Sequence, residues 1–284
     1  MNQVATNTDC RHRLHTALGQ IDALMSRPVY DALFDAVARE TPDHILEIGT
    51  AHGAGTIAMA LGAESRGAAT RIQTVDTLEA LADIPSSRAD YGDAKANEDI
   101  VRGNFDRAGV ASRISLFVGR SDVFAASQSP GDPMIGMLVL DADGRIDRDL
   151  LLFHARMTRN CLIVVDDIDG DVGASFTRGG LSLDLKHVIS EKLTSSLVAH
   201  GYLKLEKRVW NTSFFRAVDP QDWDEDEIRA LAIACYRELV FLKAGTRGLF
   251  VSTAASLLGS NAVLRPFYGS ARAIYRRLSR RPRR

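Results

Sequence analysis

The stretch His44-Ile45-Leu46-Glu47-Ile48-Gly49-Thr50-Ala51-His52-Gly53-Ala54-Gly55-Thr56-Ile57-Ala58-Met59-Ala60 decides the fold. It reads as an apolar strand that passes through a glycine-rich turn into a helix, with a carboxylate two residues before the first glycine. Glycines let the backbone turn sharply and approach a ligand closely, and the free N–H groups at a helix start offer donors and partial positive charge. Such a turn builds a site for a nucleotide-type cofactor.

Two cofactor classes compete for it. Gly53-Ala54-Gly55-Thr56-Ile57-Ala58 satisfies the loose dinucleotide pattern G-x-G-x-x-G/A, which would make the chain a nicotinamide-dependent oxidoreductase. In that fold, however, the first fingerprint glycine follows the strand at once. Here Gly49 holds that place and Gly53 comes four residues later. The spacing Glu47-x-Gly49-x-x-x-Gly53 instead resembles motif I of the class I S-adenosylmethionine-dependent methyltransferases. The resemblance implies that Glu47 lies near the methionine amino group. It also implies that Gly49, Thr50, Ala51, Gly53, Gly55 and Thr56 wrap the amino acid and ribose portions.

The order of segments downstream agrees. Arg71-Ile72-Gln73-Thr74-Val75-Asp76 reads as a second strand whose terminal acid can accept from ribose hydroxyls. A helix closed by Gly109 leads to a third strand, Ile114–Val118, followed by Gly119-Arg120-Ser121-Asp122. In the resembled family this third strand ends at the adenine. Many members carry an acid where Arg120 stands, which leaves Ser121 or Asp122 to replace that contact.

Two further apolar runs end in acids. Met137–Leu140 runs into Asp141-Ala142-Asp143, and Cys161–Val165 into Asp166-Asp167-Ile168-Asp169. Continuous apolar runs suit strands of a parallel sheet buried on both faces, and adjacent strand ends lie about 5 Å apart. Carboxylates gathered there repel unless a cation neutralises them, and a hard divalent ion takes oxygen ligands. This half of the chain resembles the metal-dependent O-methyltransferases, among them the catechol, caffeoyl-coenzyme A and macrolide-sugar enzymes. The resemblance spans residues 40 to 218. It implies a magnesium site made by Asp141, Asp166 and Asp167, with Asp141 also at the cofactor, and methyl transfer to a hydroxyl of a small polyhydroxylated acceptor. The Asp166-Asp167 pair favours a sugar or related natural product over a catechol.

One position departs from that family. A Lys or His base commonly follows the first metal acid by three residues, and this chain has Gly144 there, then Arg145, which does not deprotonate. Either a metal alone acidifies the acceptor, or Asp143, His52 or His154 takes the proton. Asp143 ranks first because it shares the strand-end loop, while His154 reads as an ordinary helix-face residue. The missing base also leaves open a non-methylating reaction, or a non-catalytic scaffold that keeps the fold.

Composition sets the remaining limits. At 284 residues the chain can bury a substantial core, and its formal net charge of -1 provides no global field for nucleic acid. Cys10, Cys161 and Cys235 show no metal-binding spacing and fit reduced thiols of a cytoplasmic protein. The expected architecture is an α/β, Rossmann-like, doubly wound and mostly parallel seven-stranded sheet. Its last strand is antiparallel, from a hairpin over Tyr202–Val218. Helical patterning from Arg11 to Glu40, interrupted at Arg27-Pro28, is expected beside the cofactor entrance. Residues 77–100 and the glycine-rich segment 169–183 read as candidate covers for the site. The division is a methyltransferase domain over 1–218 and a helical extension over 219–284. The extension ends in a segment, 265–284, with eight arginines and no acid, suited to an anionic membrane surface or to packing in a homo-oligomer.

Overall fold

The computed structural model of the chain describes residues 6–79, 92–129, 131–170, 173–177 and 180–240. Two helices come first, α1 (Asn7–Leu18) and α2 (Arg27–Glu40). α1 begins earlier than its apolar pattern suggests because Thr6 and Asp9 form a reciprocal capping box. Pro28, read above as an interruption, is the start of α2. A proline in the first helical turn loses no hydrogen bond that the helix could make.

The sheet follows from five strands that run the same way. These are β1 (His44–Ile48), β2 (Arg71–Asp76), β3 (Ile114–Val118), β4 (Ile135–Leu140) and β5 (Met157–Val165). Between them lie α3 (Ala54–Glu64), α4 (Ala94–Arg107), α5 (Ser121–Ser127) and α6 (Ile146–Phe153). After β5 the expected glycine-rich cover is a two-stranded ribbon, β6 (Gly173–Thr177) paired antiparallel with β7 (Gly180–Asp184). Helix α7 (Lys186–Ala199), the hairpin β8 (Leu203–Val209) and β9 (Thr212–Ala217), and α8 (Glu225–Val240) complete the described chain.

Strand order is β3-β2-β1-β4-β5-β9-β8, with β1 to β5 parallel and the last hairpin antiparallel. The doubly wound, Rossmann-like sheet expected from the sequence is therefore the one observed. β9 slots between β5 and the edge strand β8, pairing Val165 with Ser213. Burial explains the apolar runs, since successive residues serve opposite faces. Ile45, Met137, Val139, Leu162 and Val164 pack with α1, α2 and α3, whereas Leu46, Ile48, Leu138, Leu140, Ile163 and Val165 pack on the side of α6 and α7.

The direction of winding reverses between β1 and β4. In open α/β sheets that reversal leaves a crevice at the carboxyl ends of the strands, where ligands bind. Here the ends at the crevice are Ile48 and Leu140, so Gly49 and Asp141 are the first residues to reach it. None of the described helices is long and apolar enough to cross a membrane. The arginine-rich segment 265–284 and half of the candidate cover 77–100, from 80 to 91, lie outside the described residues.

Candidate active site

The turn after β1 is held from below by Asp76. One carboxylate oxygen, Oδ2, accepts from the backbone N–H of Thr50 and of Ala51, both at 2.8 Å, and Oδ1 accepts from Leu78 at 2.8 Å. Gly49 has φ +101°, and a Cβ built on it would stand 2.5 Å from the carbonyl carbon and oxygen of Asp141. No side chain fits there, which is why the strand meets the turn through a glycine.

Glu47 is the one acid inside β1, and it is 1% exposed. Its Oε2 accepts from the hydroxyls of Thr56 at 2.5 Å and Thr74 at 2.6 Å. Because Thr74 gives its proton to Glu47, Thr50 is the donor in the 2.5 Å contact between the two threonine hydroxyls. A Cβ at Gly55 would lie 2.8 Å from Glu47 Oε1, so this glycine keeps the other oxygen uncovered by the helix. Burial pushes the Glu47 carboxyl up to about 8, against the two hydroxyls that favour its charged form.

Glu47, Gly49, Thr50, Ala51, His52, Gly55 and Asp141 line one pocket, closed on its outer side by Asp22, Leu24, Met25 and Tyr30. The segment between α1 and α2 thus lines the same pocket as the glycine-rich turn. His52 is 1% exposed, and its Nδ1 donates to the Asp22 carbonyl at 2.5 Å. It ties that segment to the turn. Tyr30, which accepts from the Met25 N–H at 3.0 Å, has its phenol raised by burial and by Asp141 and Asp166. Nothing local in the sequence marks Tyr30 as a pocket residue.

The acids of β4 and β5 do converge. Asp141, Asp166 and Asp167 each bring a carboxylate oxygen within 4.8 Å of the others. Asp166 is tied to Thr212 through its hydroxyl, and Asp167, at φ +58°, accepts from Asn211 Nδ2 at 2.7 Å. The hairpin tip between β8 and β9 therefore braces the trio. Number and kind of donor suit a hard divalent ion. A cation of the chain already stands on two of them, however: Lys186 Nζ lies 3.0 Å from Asp141 Oδ1 and 2.9 Å from Asp167 Oδ2.

Charge follows that geometry. Burial alone would lower the Lys186 ammonium, but Asp141 and Asp167 outweigh it and hold the group above the ordinary lysine range. Burial raises Asp141 to about 7, opposed by Lys186 and supported by Asp166 and Asp167. Asp166 is raised by burial and by Asp167. His187 adds a further contact, with Nε2 at 3.3 Å from Asp167 Oδ1 and Nδ1 at 2.7 Å from Asp169.

The remaining sequence candidates are engaged elsewhere. Asp143 stands outside the trio with both oxygens on Arg148, at 3.0 and 3.1 Å. Ser121 donates to Asp149 at 2.6 Å, and Asp122 pairs with Arg120 on the surface. His154 lies between the Pro220 carbonyl and Glu225 and stacks on Trp223, a packing role. Lys186 was missed because neither its spacing nor its neighbours form a motif.

Residues 46–168 match the model of a methyltransferase domain. No curated protein matches the chain. Among solved structures, cofactor-bound Rv0187 from MTB is 20% identical, with 76% of this chain and 89% of that one covered and a TM-score of 0.50. The SAH-bound Podospora anserina methyltransferase PaMTH1 is 14% identical, with 74% and 88% covered and a TM-score of 0.50. At such identities the likeness concerns the fold, and it agrees with the sheet described above.

Proposed function

We propose that this protein is a methyltransferase that moves the methyl group of S-adenosylmethionine to a hydroxyl of a small polyhydroxylated acceptor, a sugar moiety or a catechol-like natural product. The observation that carries the reading is that Asp141 belongs to both halves of the site. It lines the pocket with Glu47 and Gly49, and it is one of the trio at the ends of β4 and β5. Donor and acceptor ends are thereby within one side chain of each other.

The cofactor would supply an electrophilic methyl on a sulfonium. Glu47, with Oε2 fixed by two threonines, meets the methionine ammonium through its other oxygen. Asp76 keeps the turn in the shape that would receive the ribose. The acceptor oxygen approaches the methyl carbon in line, the new carbon–oxygen bond forms as the carbon–sulfur bond breaks, and S-adenosylhomocysteine leaves. The hydroxyl proton passes to a nearby base or to water. Asp143 is a poor choice for that base, since Arg148 engages both its oxygens, and buried His52 is occupied in joining the α1–α2 segment to the turn. Divalent-metal assistance, expected from the family resemblance, is left out of this reading because Lys186 stands on the ligands it would need.

Thermal unfolding of the purified chain tests the proposal, because only a ligand of the native state raises the melting temperature. S-adenosylhomocysteine should raise it and NAD should not. Transfer of labelled methyl to a panel of sugars and catechols should then find an acceptor. A shift with NAD alone would overturn the assignment.

A further inference from the structure

The acidic trio carries its own counter-charge, delivered from a part of the chain distant in sequence. Lys186 is the first residue of α7, forty-five positions beyond Asp141. The start of α7 packs closely against Gly144, the position where the resembled family commonly places its base. A Cβ at Gly144 would stand 3.2 Å from Lys186 Cα, tighter than most side-chain contacts, and 3.5 Å from Ile189 Cβ, an ordinary contact. The absence of a side chain in the β4 loop and the presence of the lysine on α7 are thus two sides of one packing arrangement.

Four of the six carboxylate oxygens of the trio are engaged in this way. Lys186 takes Asp141 Oδ1 and Asp167 Oδ2, Asn211 and His187 meet Asp167 Oδ1, and Thr212 holds Asp166 Oδ1. Magnesium requires near-octahedral oxygen ligands at about 2.0–2.1 Å. An ion placed on Asp141 Oδ1 or Asp167 Oδ2 would press against an ammonium already within 3.0 Å of both oxygens. Like charges at that separation repel strongly where water is scarce.

We propose that Lys186 is the built-in cation of this site, occupying the place of a divalent ion, so that the acceptor hydroxyl meets an ammonium and methyl transfer needs no metal. This rests on the methyltransferase reading above and concerns its acceptor end only. It changes the acceptor class. A divalent ion rewards two adjacent oxygens that can chelate it, whereas an ammonium donates hydrogen bonds one at a time. An isolated hydroxyl therefore suffices, and a vicinal pair brings no special advantage.

Manganese binding to tag-free, chelator-treated full chain tests this, followed by the electron paramagnetic resonance of free Mn2+ and with S-adenosylhomocysteine binding measured beside it. The wild type should take up no stoichiometric Mn2+, and its S-adenosylhomocysteine affinity should be the same with and without chelator. Lys186→Ala should gain at least about tenfold in Mn2+ affinity once the like charge is removed, and Asp141→Asn in that background should abolish the gain. Lys186→Arg, which keeps the charge, should behave as wild type. One tightly held Mn2+ per wild-type chain, lost in Asp141→Asn, would overturn the proposal without help from any lysine variant. So would a Lys186→Ala protein that still binds S-adenosylhomocysteine but takes up no Mn2+. Failure of the wild type to bind S-adenosylhomocysteine would instead count against the methyltransferase reading, whatever the manganese result.

Discussion

Two groups of carboxylates face the same crevice, and they are kept there by opposite means. At the cofactor end, Glu47 and Asp76 are held by neutral donors: two threonine hydroxyls for the first, three backbone N–H groups for the second. At the acceptor end, Asp141 and Asp167 are held by an ammonium. Neutral donors leave at Glu47 a carboxyl that a cationic ligand such as the methionine ammonium would ionise. An internal cation offsets part of the negative charge at the other end, which favours a neutral ligand such as an alcohol. The contrast separates the two halves of the proposed reaction on electrostatic grounds alone.

Removing the internal cation should break the contrast most severely. Lys186→Met leaves two partly buried carboxylates facing each other, and loss of one partner of a fully buried pair costs about 3–5 kcal/mol, the upper end of what is expected here. Chemical unfolding of this variant should show a fall of that order at neutral pH, with recovery in acid as the carboxyls protonate. A variant as stable as wild type at neutral pH would mean that the acids do not depend on the lysine.

Gly49→Ala comes next and acts on geometry rather than charge. The new Cβ must share space with the Asp141 backbone at a φ of +101°, and strain of this type costs about 1–3 kcal/mol before any displacement of the strand end. Because that strand end carries Asp141, both halves of the site should suffer. S-adenosylhomocysteine should no longer raise the melting temperature, and Lys186 should lose one of its two partners. Retained ligand binding in Gly49→Ala would show that the turn can be rebuilt around a side chain.

These two residues also mark what the sequence could and could not convey. Gly49 was legible because strand, turn and helix are continuous in the chain, so a local pattern encodes the whole cofactor turn. The trio was legible because each acid follows an apolar run, and the order of such runs implies which strand ends meet. Lys186, Asn211 and Tyr30 join the site only through tertiary packing: the start of α7, the tip of a hairpin and a face of α2. No spacing rule links residue 144 to residue 186, although the two backbones pack closely together. The glycines at 170, 173, 179 and 180 suggested a pliant cover, yet the backbone over 173–177 and 180–184 forms a ribbon, because pairing between the segments outweighs the weak strand preference of glycine.

Glu47 sharpens the comparison through pH. Its carboxyl is raised from an ordinary 4.5 to about 8, so between those values the folded protein holds a proton that the unfolded chain has released. The contribution to stability is therefore full below about pH 4.5 and is lost as pH rises toward 8. A ligand ammonium favours the ionised carboxylate, so stabilisation by S-adenosylhomocysteine should grow across the same window. Glu47→Gln should flatten both profiles and weaken the ligand by about tenfold or more, the scale of a hydrogen bond to a charged group. Measuring melting temperature against pH, with and without ligand, checks the two trends together. Thr56→Val, which removes one of the hydroxyls on Oε2, should cost only about 1 kcal/mol and move the ligand profile to higher pH.

The smallest effect is expected where the sequence first pointed for a base. Asp143 shares the β4 loop with Asp141, but its side chain is 57% exposed and paired with Arg148 rather than with the trio. An ion pair of this exposure contributes about 0–1 kcal/mol, so Asp143→Asn should leave the unfolding midpoint almost unchanged. Methyl transfer to whichever acceptor is found should fall by no more than about threefold, well below the 10²-fold loss typical when a general base is removed. A fall of 10² or more, with S-adenosylhomocysteine binding intact, would mean that Arg148 releases Asp143 when the acceptor binds. The proton would then leave by the solvent side of the loop, with Lys186 only orienting the oxygen that loses it.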